Sequence, residues 1–230
     1  MAQAAFVGKP GSELATSLGI TAQDDILFIV FAKSKDEADV YNKPSHNSAL
    51  CVYALSAVHR KFTQNIQHCF NGNGNQGLDF INPSQSCVPT QVQIKDDFCG
   101  MDVNTPLGGV MPVEASPVLT YKNVLLTSVA ATSTHDYTVV FLGTSDGYLK
   151  KAVVESSLSA FEYSNILIEK NSRVNPDMHL VEFNNKNFLY VMTERRVTMV
   201  KVQECQIYKT CGDCLGAHDP YCGWCSLENK

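Results

Sequence analysis

Five cysteines lie close together in one stretch of the chain, and cysteines at this spacing can support three kinds of chemistry. They occur in CQIYKTCGDCLGAHDPYCGWC, residues 205–225, which holds two Cys-x-x-Cys pairs, Cys211 with Cys214 and Cys222 with Cys225. Such pairs can bind a zinc ion, and the second pair also has the form of a thiol redox centre. A third interpretation is a disulfide knot that closes a small extracellular module. The three interpretations predict different compartments and different functions.

The spacing of these cysteines favours disulfide cross-linking. Zinc ribbons separate their two pairs by about 15 to 20 residues, whereas seven residues separate Cys214 from Cys222, and Cys205 is left over. A redox dithiol stands at a helix N-terminus after a buried strand, but the turn-rich run GAHDPY precedes CGWC. The segment has too little apolar sequence for a core, with Trp224 to pack against the sulfurs, and small secreted modules of this kind are held by cross-links.

One glycine motif matches that of a nucleotide-binding site, but the elements predicted on either side of it do not fit such a site. Gly72-x-Gly74-x-x-Gly77 matches the dinucleotide-binding fingerprint, which needs a preceding strand, a following helix and an acidic residue about twenty positions later. Here a predicted helix comes before the glycines, and prolines follow them. The histidines show no metal-binding spacing, and no nucleophile motif occurs. We therefore predict no catalytic residue, no cofactor site and no metal site.

Two pairs of adjacent carboxylates, Asp24-Asp25 and Asp96-Asp97, could suggest acid–base or calcium chemistry. Neighbouring residues on a strand point away from each other, and a calcium site needs six or more oxygen ligands. Turn and capping roles are therefore predicted for these residues.

The composition is that of a globular protein, and it lacks the excess of basic residues that is typical of nucleic-acid binding. Of 230 residues, 44% are hydrophobic, and 23 acidic against 18 basic residues give a net charge of −5. The basic pairs Lys150-Lys151 and Arg195-Arg196 are predicted to be solvated hairpin positions. The apolar run at residues 26–32 is about a third of a membrane span. The first residues lack the pattern of a signal peptide.

Short β-branched and aromatic segments separated by turn residues predict antiparallel hairpins. Two hairpins, aligned on Thr144 and Thr193, are 49 residues apart, and repeats of about 40 to 50 residues are typical of propeller blades. We predict an all-β chain with three blades. Since a closed propeller needs about four to eight blades, the chain is expected to be a fragment. The hairpins are predicted at 25–33 with 49–55, 138–143 with 148–155, and 187–192 with 197–202.

Residues 56 to about 112 depart from the blade pattern and are interpreted as an insertion that projects from a blade. Its first part, SAVHRKFTQNIQ, places Val58, Phe62 and Ile66 at helical spacing, which predicts a short amphipathic helix with these three side chains on one face.

Five segments together resemble one family. They are CVYALSAVHRKF, QIKDDFCGMDVNTPLGG, YTVVFLGTSDGYLKKAVVE, NFLYVMTERRVTMVKVQEC and DPYCGWC. The cysteine spacing C-x5-C-x2-C-x7-C-x2-C of residues 205–225, which ends in DPYCGWC, is similar to that of the PSI module of plexins, semaphorins and integrins. The whole set of segments resembles a plexin, and the opening of the chain is similar to the A class. The resemblance implies that residues 1–204 are the last three blades of a seven-bladed sema propeller. Residues 56–112 would be its extrusion, and residues 205–230 the first half of a PSI module.

The resemblance also implies a cysteine pairing. It pairs Cys69 with Cys87 in the insertion, and Cys205 with Cys222 in the module. The other cysteines would have partners outside this chain, and they are Cys51, Cys99, Cys211, Cys214 and Cys225.

Plexins are cell-surface receptors for semaphorins, so the resemblance implies the extracellular part of a plasma-membrane receptor in axon guidance and cell migration. No enzyme activity, nucleic acid or small-molecule substrate is expected. The main semaphorin contact surface would lie on blades that precede this chain. We also expect the isolated chain to be marginally stable or prone to association, because its outer blades expose apolar faces and edges.

Three alternatives stay open. The nearest is a semaphorin or a hepatocyte-growth-factor-receptor-like protein, which shares the propeller and the PSI module. An intracellular zinc-binding adaptor with a kelch-like propeller predicts free thiols and bound metal. An oxidoreductase that uses Cys222 and Cys225 predicts an exposed reactive thiolate.

Overall fold

The structure, a computed structural model, describes residues 1–35, 43–76, 85–95, 98, 102–104, 111–184 and 186–228. The chain divides into two compact units. The larger contains Met1–Ala54 and Ala115–Lys230, and the smaller contains Leu55–Glu114. Among the described residues, no helix is long and apolar enough to cross a membrane.

The first sheet of the larger unit has four antiparallel strands in the order β1-β2-β3-β4. Alternate residues of β2, from Ile26 to Ala32, are buried, because a strand sends successive side chains to opposite faces. The predicted pairing of β2 with β3 is confirmed. The strands are β1 Ala2–Gly8, β2 Ile26–Ser34, β3 Pro44–Ala54 and β4 Pro117–Tyr121. A helix that the sequence analysis missed, α1 (Ser12–Leu18), joins β1 to β2 and buries Leu14 in the core.

The second sheet is covered by apolar side chains on both faces. Its strands run in the order β5-β6-β7-β8, and every residue of β6 is buried. Val140 and Leu142 of β6 lie in the core shared with the first sheet, whereas Val139 and Phe141 lie in the core shared with the third. Burial of each such side chain stabilises the fold by roughly 1.5–3 kcal/mol. The strands are β5 Leu126–Ser133, β6 Thr138–Thr144, β7 Tyr148–Val154 and β8 Ala160–Leu167.

The third sheet has three strands, in the order β11-β10-β9, and they are β9 Met178–Phe183, β10 Lys186–Met192 and β11 Val197–Lys201. The predicted hairpin of β10 and β11 is confirmed. One edge of this sheet is β11, where Val197 and Met199 are more than half exposed. The three sheets pack in chain order through their faces, as consecutive propeller blades do.

The smaller unit begins with α2 (Leu55–Phe70), which confirms the predicted helix. The face that carries Val58, Phe62 and Ile66 is not the buried face of this helix, because Phe62 is 60% exposed. The buried side chains belong to Asn65, Cys69 and Phe70, and Asn65 exchanges two hydrogen bonds of 2.9 Å with the backbone of Met111. Asn65 and Cys69 therefore define the inward face of α2. This face is rotated away from the side of the helix that carries Val58, Phe62 and Ile66.

Candidate functional site

The cysteine cluster forms a small module that follows β11. A 3-10 turn at Cys205–Ile207 leads to a short helix, α3 (Cys211–Gly216). Cys205 and Cys222 form a disulfide with their Cα atoms 5.4 Å apart, so residues 205–222 form a closed loop. Because the sulfur of Cys222 is used in this bond, the Cys222–Cys225 pair is not a dithiol in this structure.

The sequence around Thr210 fixes where α3 begins. The Thr210 hydroxyl accepts a hydrogen bond from the N–H of Asp213 at 3.1 Å and donates one to the Asp213 carboxylate at 2.7 Å. This reciprocal pair satisfies a backbone donor that would be unpaired at the helix N-terminus. The cap turns Cys214 inward, where it is buried, and leaves Cys211 exposed.

A second disulfide lies in the smaller unit. Cys69, at the end of α2, is bonded to Cys87, with their Cα atoms 5.1 Å apart. Two buried amides hold the segment beside it. The Gln76 side chain donates to the backbone carbonyls of Ser86 and Val103, and Asn104 bonds both the N–H and the carbonyl of Val88. These are the two cysteine pairs that the resemblance implied.

Four cysteines of the described residues have free thiols. Cys51 and Cys214 are buried, whereas Cys211 and Cys225 are exposed. Burial raises the pKa of the Cys51 thiol, which keeps it in the unreactive neutral form. Cys99 and the Asp96-Asp97 pair lie outside the described residues.

The other motifs lie in turns and loops. The Asp24 carboxylate accepts hydrogen bonds from the N–H and the hydroxyl of Thr21, and Asp25 pairs with Lys9 at 2.7 Å. These contacts confirm the predicted turn role of the first pair. Gly72 and Gly74 follow α2 and both have positive φ, so no strand precedes them. Gly77 lies outside the described residues.

The prediction for Lys150 and Lys151 was wrong, because both side chains are buried. Lys150 is 9% exposed and Lys151 is 5% exposed. They leave β7 on opposite faces, since consecutive strand residues do so, and both faces of this sheet are covered. Lys150 pairs with Glu162 of β8 at 3.1 Å, and its ammonium lies 5.2 Å from the ring centre of Tyr121.

Lys151 lies where the module meets the sheets. Its ammonium donates to the backbone carbonyls of Lys201 and Val202, at 3.2 and 2.9 Å. Burial lowers the pKa of Lys151, and the charges of Asp219 and Glu204 oppose that shift. The lysine therefore connects the middle of the second sheet to the segment that leads into the module.

Asp219 is the module's buried carboxylate in this junction. It is 8% exposed and accepts a hydrogen bond from the N–H of Tyr221 at 3.0 Å. Burial raises the pKa of Asp219, while that hydrogen bond and Lys151 lower it. Burial also raises the pKa of Tyr163, and it raises the pKa of Tyr221 to about 12. Both phenols thus stay neutral at physiological pH.

A cleft of about 540 Å³ opens beside the junction. Phe161 of β8 and His218 of the module form part of its wall, with an edge-to-face contact at 6.2 Å between ring centres. Asp219 and Cys222 also line it. The sequence analysis missed this junction entirely, and its one available signal was two lysines inside a strand that pairs with the largely apolar segment TVVFLG.

Comparisons with protein families match two domains in this chain. A family described as Sema domain matches residues 2–181, and one described as Plexin repeat matches residues 204–230. The chain is 39% identical to human Plexin-A2 over 99% of its own length, and 35% identical to mouse Plexin-A3 over all of it. It spans about 12% of the length of each of these relatives.

The solved structures that match the chain also include plexins. A Plexin A4 extracellular region matches all of the chain with a TM-score of 0.89 and 34% identity, and the chain covers 23% of that structure. Drosophila Plexin A, solved in complex with Semaphorin 1b, matches with a TM-score of 0.62 and 20% identity, and Drosophila Semaphorin 2a with 0.63 and 17%. The chain covers 46% and 36% of these two chains. At these identities the two Drosophila matches show the shared fold alone.

Proposed function

Since the chain belongs to the Sema domain family and continues into a plexin repeat, we propose that it is part of the extracellular region of a plexin-type cell-surface receptor for semaphorins. The similarity to Plexin-A2 carries this proposal, because it covers 99% of the chain and therefore both domains in the same order. The packing of three sheets in chain order and the cross-linked module after the last of them support it.

The proposal includes the domain boundaries and the state of the cysteines. Residues 1–204 form the C-terminal part of the propeller, with an insertion at about 56–112, and residues 205–230 begin the PSI module. Five cysteines pair with partners in other parts of the receptor, and they are Cys51, Cys99, Cys211, Cys214 and Cys225.

The role of this region is to join the propeller to the module, and it carries out no catalysis. Most of the semaphorin contact surface lies on other blades, so the contribution of this chain to binding is to complete the ring and to set the direction in which the module leaves it. The hydrogen bonds of the buried Lys151 ammonium to the carbonyls of Lys201 and Val202 support this role, because they fix the end of β11 just before the module begins.

A receptor chimera tests the proposal. The matching segment of the human Plexin-A2 extracellular region is replaced by this chain, and a second chimera carries the matching segment of mouse Plexin-A3 as a control. We expect both chimeras to be secreted and to bind, in surface plasmon resonance, a semaphorin that binds the parent. If the control is secreted and binds while this chimera fails in either respect, the proposal is wrong.

A further inference from the structure

The cleft beside the module, with a volume of about 540 Å³, has a carboxylate at its base. Asp219 lines the cleft at 8% exposure and Val153 of β7 lines it at 2%, so these two side chains lie deepest. Tyr137, Glu155 and His218 line it as exposed residues and therefore stand at its mouth. A concave site of this volume is in the range of sites that bind small ligands.

The carboxylate of Asp219 is only partly satisfied by the protein. A carboxylate offers two oxygens with about four acceptor positions. Oδ1 accepts the N–H of Tyr221 at 3.0 Å, whereas Oδ2 accepts no hydrogen bond from the described residues and is not one of the fully buried polar atoms. No ion pair within 4.0 Å involves Asp219 among those residues. Because a largely buried charge is costly without a partner, a cation that reached Oδ2 would be bound favourably.

The rest of the lining favours a cation with a flat body. The described lining residues include two acids, Glu155 and Asp219, and neither lysine nor arginine. The rings of Phe161 and His218 meet edge to face, with their centres 6.2 Å apart, and Tyr137 adds a third ring. Aromatic faces attract cations, and a planar guanidinium both stacks on such rings and bonds a carboxylate through two parallel N–H groups.

We propose that this cleft is a binding site for a planar organic cation, a guanidinium or an amidinium, which pairs with the carboxylate of Asp219 while its body lies against the aromatic lining. Glu155 adds a second negative charge at the mouth. The site needs both parts of the chain, because His218 and Asp219 belong to the module, whereas Glu155 and Phe161 belong to the second sheet and the turn after β7. The inference goes beyond the proposed receptor function and does not depend on it.

A chemical-shift titration of the full chain tests the site with two cations and their neutral isosteres. The probes are benzamidine with benzamide, and N-acetylarginine amide with N-acetylcitrulline amide. We expect each cation to shift the amide signals of residues 153–161 and 218–222 and to bind at least about tenfold more tightly than its isostere, the usual effect of a hydrogen bond to a charged group. If neither cation shifts these signals, or if each isostere binds as tightly as its cation, the proposal is overturned.

The same titration distinguishes two sources of the cation. Tighter binding of N-acetylarginine amide than of benzamidine assigns the site to an arginine residue of a polypeptide. Tighter binding of benzamidine assigns it to a free aromatic cation. Either result supports a site for a planar cation.

A pair of charge-matched variants tests the role of Asp219. Asp219→Asn should weaken the binding of both cations at least about tenfold, because the paired charge is lost while an oxygen remains for the Tyr221 N–H. Glu182→Gln removes one negative charge from an exposed position of β9 and should leave the affinity within about twofold. Equal losses in the two variants would mean that only the net charge attracts the cation, and the proposal would be wrong.

Glu155→Gln keeps the test decisive if Asp219→Asn does not fold. The Glu155 carboxylate is exposed and accepts the hydroxyl of Ser159 at 3.0 Å, a bond that the amide oxygen of glutamine preserves. We expect binding of both cations to weaken about threefold, because an exposed ion pair at the mouth is lost. An unchanged affinity in Glu155→Gln, with Asp219→Asn unfolded, would reject the proposal.

Discussion

Tyr121, Lys150 and Glu162 show how single side chains connect two sheets. Tyr121 ends β4 in the first sheet, and its hydroxyl donates to the Glu162 carboxylate of β8 at 2.8 Å. Lys150 bonds the other oxygen of that carboxylate. Burial, followed by this contact with Glu162, raises the pKa of Tyr121, so the phenol acts only as a neutral donor. The three residues form a small network in which the carboxylate is shared.

We predict that Tyr121→Phe lowers the free energy of unfolding by about 1.5 kcal/mol, the lower end of the usual net value for a hydrogen bond to a charged group. Glu162 keeps its pairing with Lys150 in this variant, so the loss should not be larger. Chemical denaturation measures the change. Tyr137→Phe, at a partly exposed loop position, is the control and should change stability by less than about 0.5 kcal/mol. Equal effects in the two variants would contradict the assignment.

Gly147 ends the turn between β6 and β7 in a conformation that suits glycine. Its φ is +94°, and an added Cβ would overlap the carbonyl oxygen of Glu169 and lie 2.9 Å from that of Ser172. We predict that Gly147→Ala costs at least about 2 kcal/mol in unfolding free energy, from backbone strain and overlap together. Gly216→Ala places a Cβ in open space and should be nearly neutral. A neutral Gly147→Ala would show that this turn is wrongly placed.

Residue-level roles were predictable where they depend on local sequence and not where they depend on packing. The turn role of Asp24 follows from its neighbours, because its partner Thr21 is three residues away. The burial of Lys150 and Lys151 depends on which sheets cover β7, and two lysines beside a turn are usually solvated. Asp219 and Lys151 line the same cavity although they are 68 residues apart in the sequence, and no spacing rule predicts such a pair.

At the scale of elements, the inner hairpins were predicted, whereas the strands β1, β4 and β8 and the helix α1 were missed. β2, β6, β7 and β10 have apolar residues on one or both faces, so their periodicity is visible in the sequence. β8 is half-buried along most of its length, since an outer strand packs less apolar surface, and its sequence AFEYSNIL carries little alternation. The seven residues of α1 are too few to show a helical period.

The disulfide of the module stabilises an element that has almost no core. We predict that replacing both Cys205 and Cys222 by serine lowers the stability of the module by about 3 kcal/mol, the chain-entropy value for a loop of this length. Limited proteolysis should then cut within residues 205–228 while β5–β8 stay resistant. The matched double variant of Cys69 and Cys87 should move the cleavage into residues 55–95. If both variants are cut at the same places, the disulfides do not act locally.

For the whole molecule, the exposed edge of the third sheet predicts self-association. β11 is an edge strand of its sheet that presents Val197 and Met199, each more than half exposed, and edge strands can pair with other chains. We expect Val197→Lys with Met199→Lys to lower the fraction of oligomer at micromolar concentration severalfold in analytical ultracentrifugation. Leu227→Lys, which changes a 96% exposed residue away from the sheets, should have little effect. A monomeric wild-type chain, or equal changes in both variants, would contradict this interpretation.

We propose that Cys69, Cys87, Cys205 and Cys222 form two cross-links in the extracellular region of a receptor and neither bind zinc nor act in redox chemistry. Peptide mass spectrometry without reduction, on the chain secreted from an oxidising compartment, with zinc quantified in the same sample, tests it most directly. We predict Cys69 linked to Cys87 and Cys205 linked to Cys222, with no stoichiometric metal. Free thiols at these four positions with one zinc per chain would contradict the account.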